Sequence, residues 1–227
     1  MRWKFILGLL TTCAVLMSMS YTMLIPFLPM YLIQDLGVVK ADVDMWSGAI
    51  FAITFLVSGI MAPIWGALAD KKSRKLIALR AGFCLAITYF LGGLVTNPWE
   101  LLGVRFIQGL SAGLWPALLA IISVESPKLK LGFCMGVMQG GMTAGGVLGP
   151  LFGGLLADQF GMRMAFFIAA AALFLITLAL LFFVKEEPRK PDPNAKPVKI
   201  WDFSLCKIPA VKRMLICAGV VQLTILM

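Results

Sequence analysis

The chain has 227 residues, 60% of them hydrophobic and 14% charged, with a mean hydropathy of +0.93. Soluble domains hold roughly 45–50% apolar residues, so a soluble globular fold is excluded and the useful unit of length becomes the bilayer span of about 20 residues. Lys and Arg number 20 against 11 Asp and Glu, and His is absent. That excess reads as a record of membrane topology rather than of nucleic-acid binding, and the commonest metal ligand and general base near neutral pH are missing.

Six segments free or nearly free of charge follow in chain order: Phe5 to Gln34, Met45 to Ala69, Leu76 to Thr96, Leu101 to Val124, Leu131 to Ala157, and Met164 to Val184. Arg2 and Lys4 ahead of the first segment imitate a signal peptide, but the apolar run is too long for one and more spans follow. No alternation of period two occurs, so the expected fold class is an all-α membrane protein, a six-helix bundle over residues 1–184. A seventh apolar run begins at Met214 and stops at Met227. At 1.5 Å per residue it reaches about 20 Å, short of a hydrocarbon core roughly 30 Å thick, so the expectation is a truncated seventh helix over 214–227.

The cations define an orientation. Arg2 and Lys4, the group Lys71, Lys72, Arg74 and Lys75, the pair Lys128 and Lys130, and the stretch from Lys185 to Arg213 fall on one side, against Lys40 and Arg163 on the other. The positive-inside rule makes the first side, with the amino terminus, cytoplasmic. Residues 185–213 carry five prolines among eight basic residues and read as a cytoplasmic linker. In it Ile200, Trp201 and Phe203 either lie along the headgroup boundary or belong to a plain solvated connector. Cys13, Cys84, Cys134, Cys206 and Cys217 are too scattered for a zinc site or a disulfide framework.

An internal echo points to an inverted three-plus-three repeat. Gly66-Ala-Leu-Ala-Asp70 closes the second span and Gly154-Leu-Leu-Ala-Asp158 closes the fifth, three helices later and on the opposite side. Pro26 and Pro116 fit the same pairing, each expected to kink the first span of a repeat.

Three strings carry candidate chemistry. In the loop from Gly66 to Lys75, Gly66 is expected to let neighbouring helices approach closely, Asp70 offers an acceptor at the membrane edge, and Arg74 and Lys75 supply donors a turn away. In the fourth span Arg105 costs at least about 2.5–3.5 kcal/mol to insert unpaired, which marks a use. On one continuous helix Arg105, Gln108, Ala112 and Trp115 share a face that could line a cavity. Arg80, near the cytoplasmic end of the third span, reads as snorkelling to water. Gly109-Leu-Ser111-Ala-Gly113 also fits a nucleophile pattern, but without His or a core lysine the serine has no base, and no enzyme activity is expected. In the fifth span Gly132, Gly136 and Gly140, then Gly141, Gly145, Gly149 and Gly153, repeat every four residues and predict close-packed faces, with a bend at Pro150.

Taken together these strings resemble the major facilitator superfamily, specifically its twelve-span drug:proton antiporters of the MdtG-like multidrug efflux type. Gly66, Asp70, Arg74 and Lys75 match the loop 2-3 motif, with Ser73 where glycine is usual. Arg105, Gln108 and Gly109 match the helix-four motif, and Gly145, Gly149, Pro150, Gly153 and Gly154 the antiporter motif of helix five. Ile25 to Tyr31 and Met45 to Gly48 add to the match. The resemblance implies alternating access by two six-helix bundles in a bacterial inner membrane. It implies multidrug efflux powered by a proton gradient with no bound cofactor or metal, and small amphipathic or hydrophobic substrates in a cavity touched by Tyr21, Gln108, Trp115, Gln139 and Met142. It gives Asp70 a gating role, Arg105 a part in proton relay, and the Gly149-Pro150 bend a part in favouring exchange over leak.

Two departures stand out: the first span holds no acidic residue, and the chain covers one bundle. The partners implied are therefore lipid, protons, substrate, and a carboxyl-terminal six-helix half or a second copy; alone, the chain is expected to be inactive. A solute-uptake facilitator of the same superfamily and a non-transporting assembly subunit remain the alternatives, whereas an ATP-driven half-transporter lacks its GxxxxGK[ST] loop.

Overall fold

A computed structural model describes the backbone of residues 2–71 and 73–184 and the side chains of residues 3–68 and 73–184. The linker over 185–213, the apolar run over 214–227 and the Asp70 side chain lie outside the described residues. The elements are α1 (Arg2–Met23), α2 (Leu28–Gln34), α3 (Val43–Lys71), α4 (Arg74–Leu94), α5 (Pro98–Leu110), α6 (Leu114–Glu125), α7 (Leu131–Phe160) and α8 (Met162–Phe183). Short 3-10 turns at Lys40–Asp42 and Lys128–Lys130 lead into α3 and α7. No strand occurs among the described residues.

Among the described residues, six helical stretches are long and apolar enough to cross a bilayer: Trp3–Met23, Lys40–Leu68, Arg74–Leu94, Pro98–Glu125, Lys128–Phe160 and Met162–Phe183. Where spans begin, local chemistry is explicit. Ser73 caps α4 by accepting from the Leu76 N–H at 3.1 Å. Asn97 caps α5 by accepting from the Glu100 N–H at 2.9 Å, and Glu100 reaches back to accept from the Thr96 N–H at 2.8 Å. Gly161, at φ +80°, ends α7 and opens directly into α8.

Two spans go further than the kinks expected at Pro26 and Pro116 and break outright. The first breaks over Leu24–Phe27, around Pro26, and resumes as the short α2. The fourth breaks over Ser111–Gly113, with Gly113 at φ +119°, and resumes as α6 two residues before Pro116. Pro lacks the N–H that would continue the ladder, and only glycine tolerates that backbone angle without strain.

The packing order carries the repeat. α1 lies along α7, α3 along α5, and α4 along α8. Exchanging spans one and four, two and five, three and six maps this set of pairs onto itself. Directions agree as well: successive contacts ascend together in the first two pairs, as with Gly145 on Val15 and Gly153 on Met23, and run oppositely in the third, where Gly82 meets Thr177 and Gly92 meets Phe166. The inverted three-plus-three organisation is thus present in the contacts as well as in the five-residue echo.

Glycine sets the distance between α1 and α7. A Cβ on Gly145 would strike the Val15 carbonyl, one on Gly149 the Thr22 hydroxyl and, at 2.7 Å, the Met19 carbonyl, and one on Gly153 the Met23 carbonyl at 2.6 Å. Gly141 continues the row against Thr11. The other row, Gly132, Gly136 and Gly140, meets nothing within 4 Å among the described residues, so the expectation of two packed glycine faces is corrected to one. Spans two and five bury only 17% of their most apolar stretch inside the bundle, against 56% for span three. Large faces of α3 and α7 therefore have no partner among the described residues.

A candidate solute cavity and its supports

Both broken spans border a cavity of about 380 Å³. Met17, Ser18, Tyr21 and Thr22 line it from α1, Thr54, Phe55 and Ser58 from α3, Ala81 and Leu85 from α4, and Met142 from α7. The rest of its wall is span four, from Gln108 and Gly109 through Ser111, Ala112 and Gly113 to Trp115 and Pro116. Small hydroxyls and one amide on a mostly apolar surface suit a pocket that orients solutes by a few polar contacts, and the flexible methionines adapt to different shapes.

Arg105 sits behind this wall, 5% exposed, and its Nη1 donates to Gln108 Oε1 at 2.9 Å. Gln108 lines the cavity and Arg105 does not, and no carboxylate is among the described residues that line it. The partner that the structure gives this cation is therefore a neutral amide. The Tyr89 hydroxyl donates to the Ser20 carbonyl at 2.9 Å, whereas the buried Tyr21 hydroxyl has no hydrogen-bond partner among the described residues. Thr54 fastens α3 to α5, its Oγ1 bonding the Ile50 carbonyl at 2.8 Å and lying 3.5 Å from that of Arg105. Gly109 brings these helices together: a Cβ there would meet the Thr54 carbonyl at 2.9 Å.

Of the expected cavity contacts, Tyr21, Gln108, Trp115 and Met142 come together, while Gln139 lies exposed on the open glycine face of α7. Arg105, Gln108, Ala112 and Trp115 do not share one helical face, because the break at Ser111–Gly113 separates the first two from Trp115. Gly66 is exposed, and a Cβ there would meet nothing within 4 Å among the described residues, so no close helix approach is seen at it among them. Arg74 donates from Nη1 to the Ala120 carbonyl at 3.3 Å and Lys75 from Nζ to the Leu181 carbonyl at 2.7 Å. Gly154 packs on the Phe27 ring, with 3.1 Å from its virtual Cβ to Cζ, and Pro150 lies inside α7 without ending it.

Sequence reasoning missed the supports of the break. Trp65 Nε1 donates to the Leu110 carbonyl at 2.8 Å, and Arg80 Nη2 donates to the carbonyls of Ala112 at 3.0 Å and Ser111 at 3.4 Å. The Arg80 guanidinium also stacks 3.3 Å above the Trp65 ring. Arg80 therefore does not snorkel. The available signal was Pro116: four residues after Ala112, it leaves that carbonyl without its helical donor.

An inverted-repeat bundle of six membrane spans, with two of them broken beside a central cavity, defines a multi-pass membrane protein of transporter architecture. The chain belongs to the Major Facilitator Superfamily, whose family model matches residues 10–226. It is 42% identical over 186 residues to the multidrug resistance protein MdtG of Citrobacter koseri, covering 82% of this chain and 46% of that protein. It is 40% identical over 187 residues to MdtG of Yersinia enterocolitica, covering 82% and 45%. The chain thus spans just under half the length of the curated relatives it matches. In fold it is similar to the POT family transporter PepTSo, with a TM-score of 0.70 at 14% identity, over 83% of this chain and 40% of that one. A bacterial homolog of the human lysosomal transporter Spinster, inward-facing and unoccupied, gives 0.69 at 23% identity, over 86% and 46%.

Proposed function

We propose that the chain supplies the amino-terminal bundle of a proton-coupled multidrug exporter. The observation that carries this reading is the cavity bordered by both broken spans, in a chain more than 40% identical to a protein named for multidrug resistance. Small amphipathic or hydrophobic solutes enter the cavity, meet Gln108, Tyr21 and Trp115, and leave when the bundle rocks against a second one. The uncovered faces of α3 and α7 support that second bundle, either a carboxyl-terminal half or another copy of this chain. The Lys and Arg asymmetry supports an amino terminus in the cytoplasm, and the bacterial relatives support a bacterial inner membrane.

Arginine does not release its proton in proteins, so Arg105 acts in coupling as a fixed charge that biases nearby groups. The proton itself rides on a group outside the lining residues. Asp70 gates from the cytoplasmic edge, and the Gly149-Pro150 segment holds α7 tightly on α1 so that exchange is favoured over leak. The test is drug susceptibility and dye retention in an efflux-deficient bacterium expressing the native-length gene product. Lower dye retention than in the vector control, lost on Gln108→Leu at equal membrane abundance, supports the reading. Retention equal to the control removes it.

A further inference from the structure

The break in span four leaves the carbonyls of Leu110, Ser111 and Ala112 at the carboxyl end of α5, in the middle of a membrane-crossing stretch. Such carbonyls carry partial negative charge, and lipid offers them no donor. The side chains that reach them come from two other spans. Trp65 on α3 supplies one N–H to Leu110, and Arg80 on α4 supplies its Nη2 to both Ser111 and Ala112. The Arg80 donor replaces the one Pro116 lacks. Stacking at 3.3 Å locks the two side chains together, and Gly113 fits against them with 3.6 Å from its virtual Cβ to Trp65 Cβ. Arg80 lies six residues into α4, roughly 9 Å from its start, close enough to reach cytoplasmic water. It bonds mid-span carbonyls instead.

We propose that Arg80 and Trp65 are positioning residues of the cavity: together they hold the break in span four and so set the shape of the wall from Ser111 to Pro116. Neither acts on solute directly. Arg80 is absent from the cavity lining, and its influence passes through the carbonyls it holds. A relaxed clamp lets α5 and α6 realign, moves Ala112 and Trp115, and alters which solutes fit. This rests on the transport reading of the cavity only for its consequence in selectivity; the geometry of the break is separate from it.

The test uses the native-length gene product in membranes, with the five cysteines of this sequence and any others replaced by alanine and Ala112→Cys as a reporter of the wall. Alkylation of that thiol by a membrane-permeant maleimide is compared with Arg80 intact, in Arg80→Met and in Arg80→Lys. Losing a charged donor to a helix end shifts the opening equilibrium about tenfold, so the alkylation rate should change by about that factor in Arg80→Met and by less in Arg80→Lys, which keeps the charge without the planar guanidinium stacked on Trp65. Rates within about twofold of the parent in both variants overturn the proposal, since a tenfold shift is the size of effect the clamp requires. If Arg80→Met does not accumulate, Arg80→Lys and Trp65→Phe, which keeps the stacked ring but loses Nε1, decide the matter by the same criterion. Where transport is measured, Arg80→Lys should change KM unequally among solutes of different size, whereas a merely structural role lowers protein abundance and leaves every KM alone. A parent protein that moves no solute removes the transport reading, while the alkylation comparison still decides the clamp.

Discussion

Lys75 and Arg163 stand five residues after Asp70 and Asp158, at equivalent places in the two repeats, and each donates to the far end of the other's helix. Lys75 opens α4 and bonds the Leu181 carbonyl in the last turn of α8; Arg163 opens α8 and bonds the Val95 carbonyl at the end of α4, at 3.4 Å. Arg163 also pairs with Asp35 at 3.2 Å, tying in the end of α2. Cations at carboxyl ends offset the helix dipole and satisfy orphan carbonyls.

This reciprocal clasp predicts that Lys75→Met lowers bundle stability by about 1 kcal/mol, the usual worth of a hydrogen bond, and that Arg163→Met, which also loses the Asp35 pair, lowers it by more. Because the two sites sit at opposite ends of the α4–α8 pair, their effects should add. Thermal unfolding of the detergent-solubilised protein, singly and in the double variant, checks both statements. A double variant no less stable than either single one would show that the ends are coupled.

Alanine in the two glycine rows of α7 should behave oppositely. Gly149→Ala places a methyl where the Thr22 hydroxyl and Met19 carbonyl stand, and overpacking of that kind costs about 1–3 kcal/mol. Gly136→Ala meets open space within the bundle and should leave its melting temperature unchanged or slightly higher, since alanine is the better helix former. Melting curves of the two variants side by side give the comparison.

At Arg105 the prediction separates activity from folding. Arg105→Met keeps an unbranched stem but leaves Gln108 Oε1 without its donor, a loss of about 1–3 kcal/mol. Coupled transport should fall far more than membrane abundance does, because the fixed charge beside the cavity is gone. A fall in abundance that accounts for the whole transport loss would reduce Arg105 to a structural residue.

Cavity membership predicts a contrast between two glutamines. Gln108→Leu removes a polar lining group and should change solute KM, whereas Gln139→Leu, exposed outside the cavity, should leave KM within about twofold. Initial rates across a panel of solutes measure this.

The sequence made the bundle legible because lipid leaves few choices: apolar runs of span length, separated by basic or turn-forming residues, fold as helices. The repeat was visible in Gly66 to Asp70 and Gly154 to Asp158, and the packed glycine row in the four-residue spacing. What could not be read was which row packs, since Gly132 and Gly145 differ only in whether α1 lies opposite. Nor could the break in span four be placed. Gly113 and Pro116 each permit a break, but its position depends on donors from Trp65 and Arg80, which are distant in sequence and meet only in the fold.

Export is vectorial, so membrane vesicles of known sidedness report it. In everted membrane vesicles holding the native-length gene product and energised acid-inside, an amphipathic dye should accumulate in the lumen and leave when a protonophore collapses the gradient. Accumulation that ignores the protonophore, or that appears instead in right-side-out vesicles as protons move inward, would contradict a proton-coupled exporter.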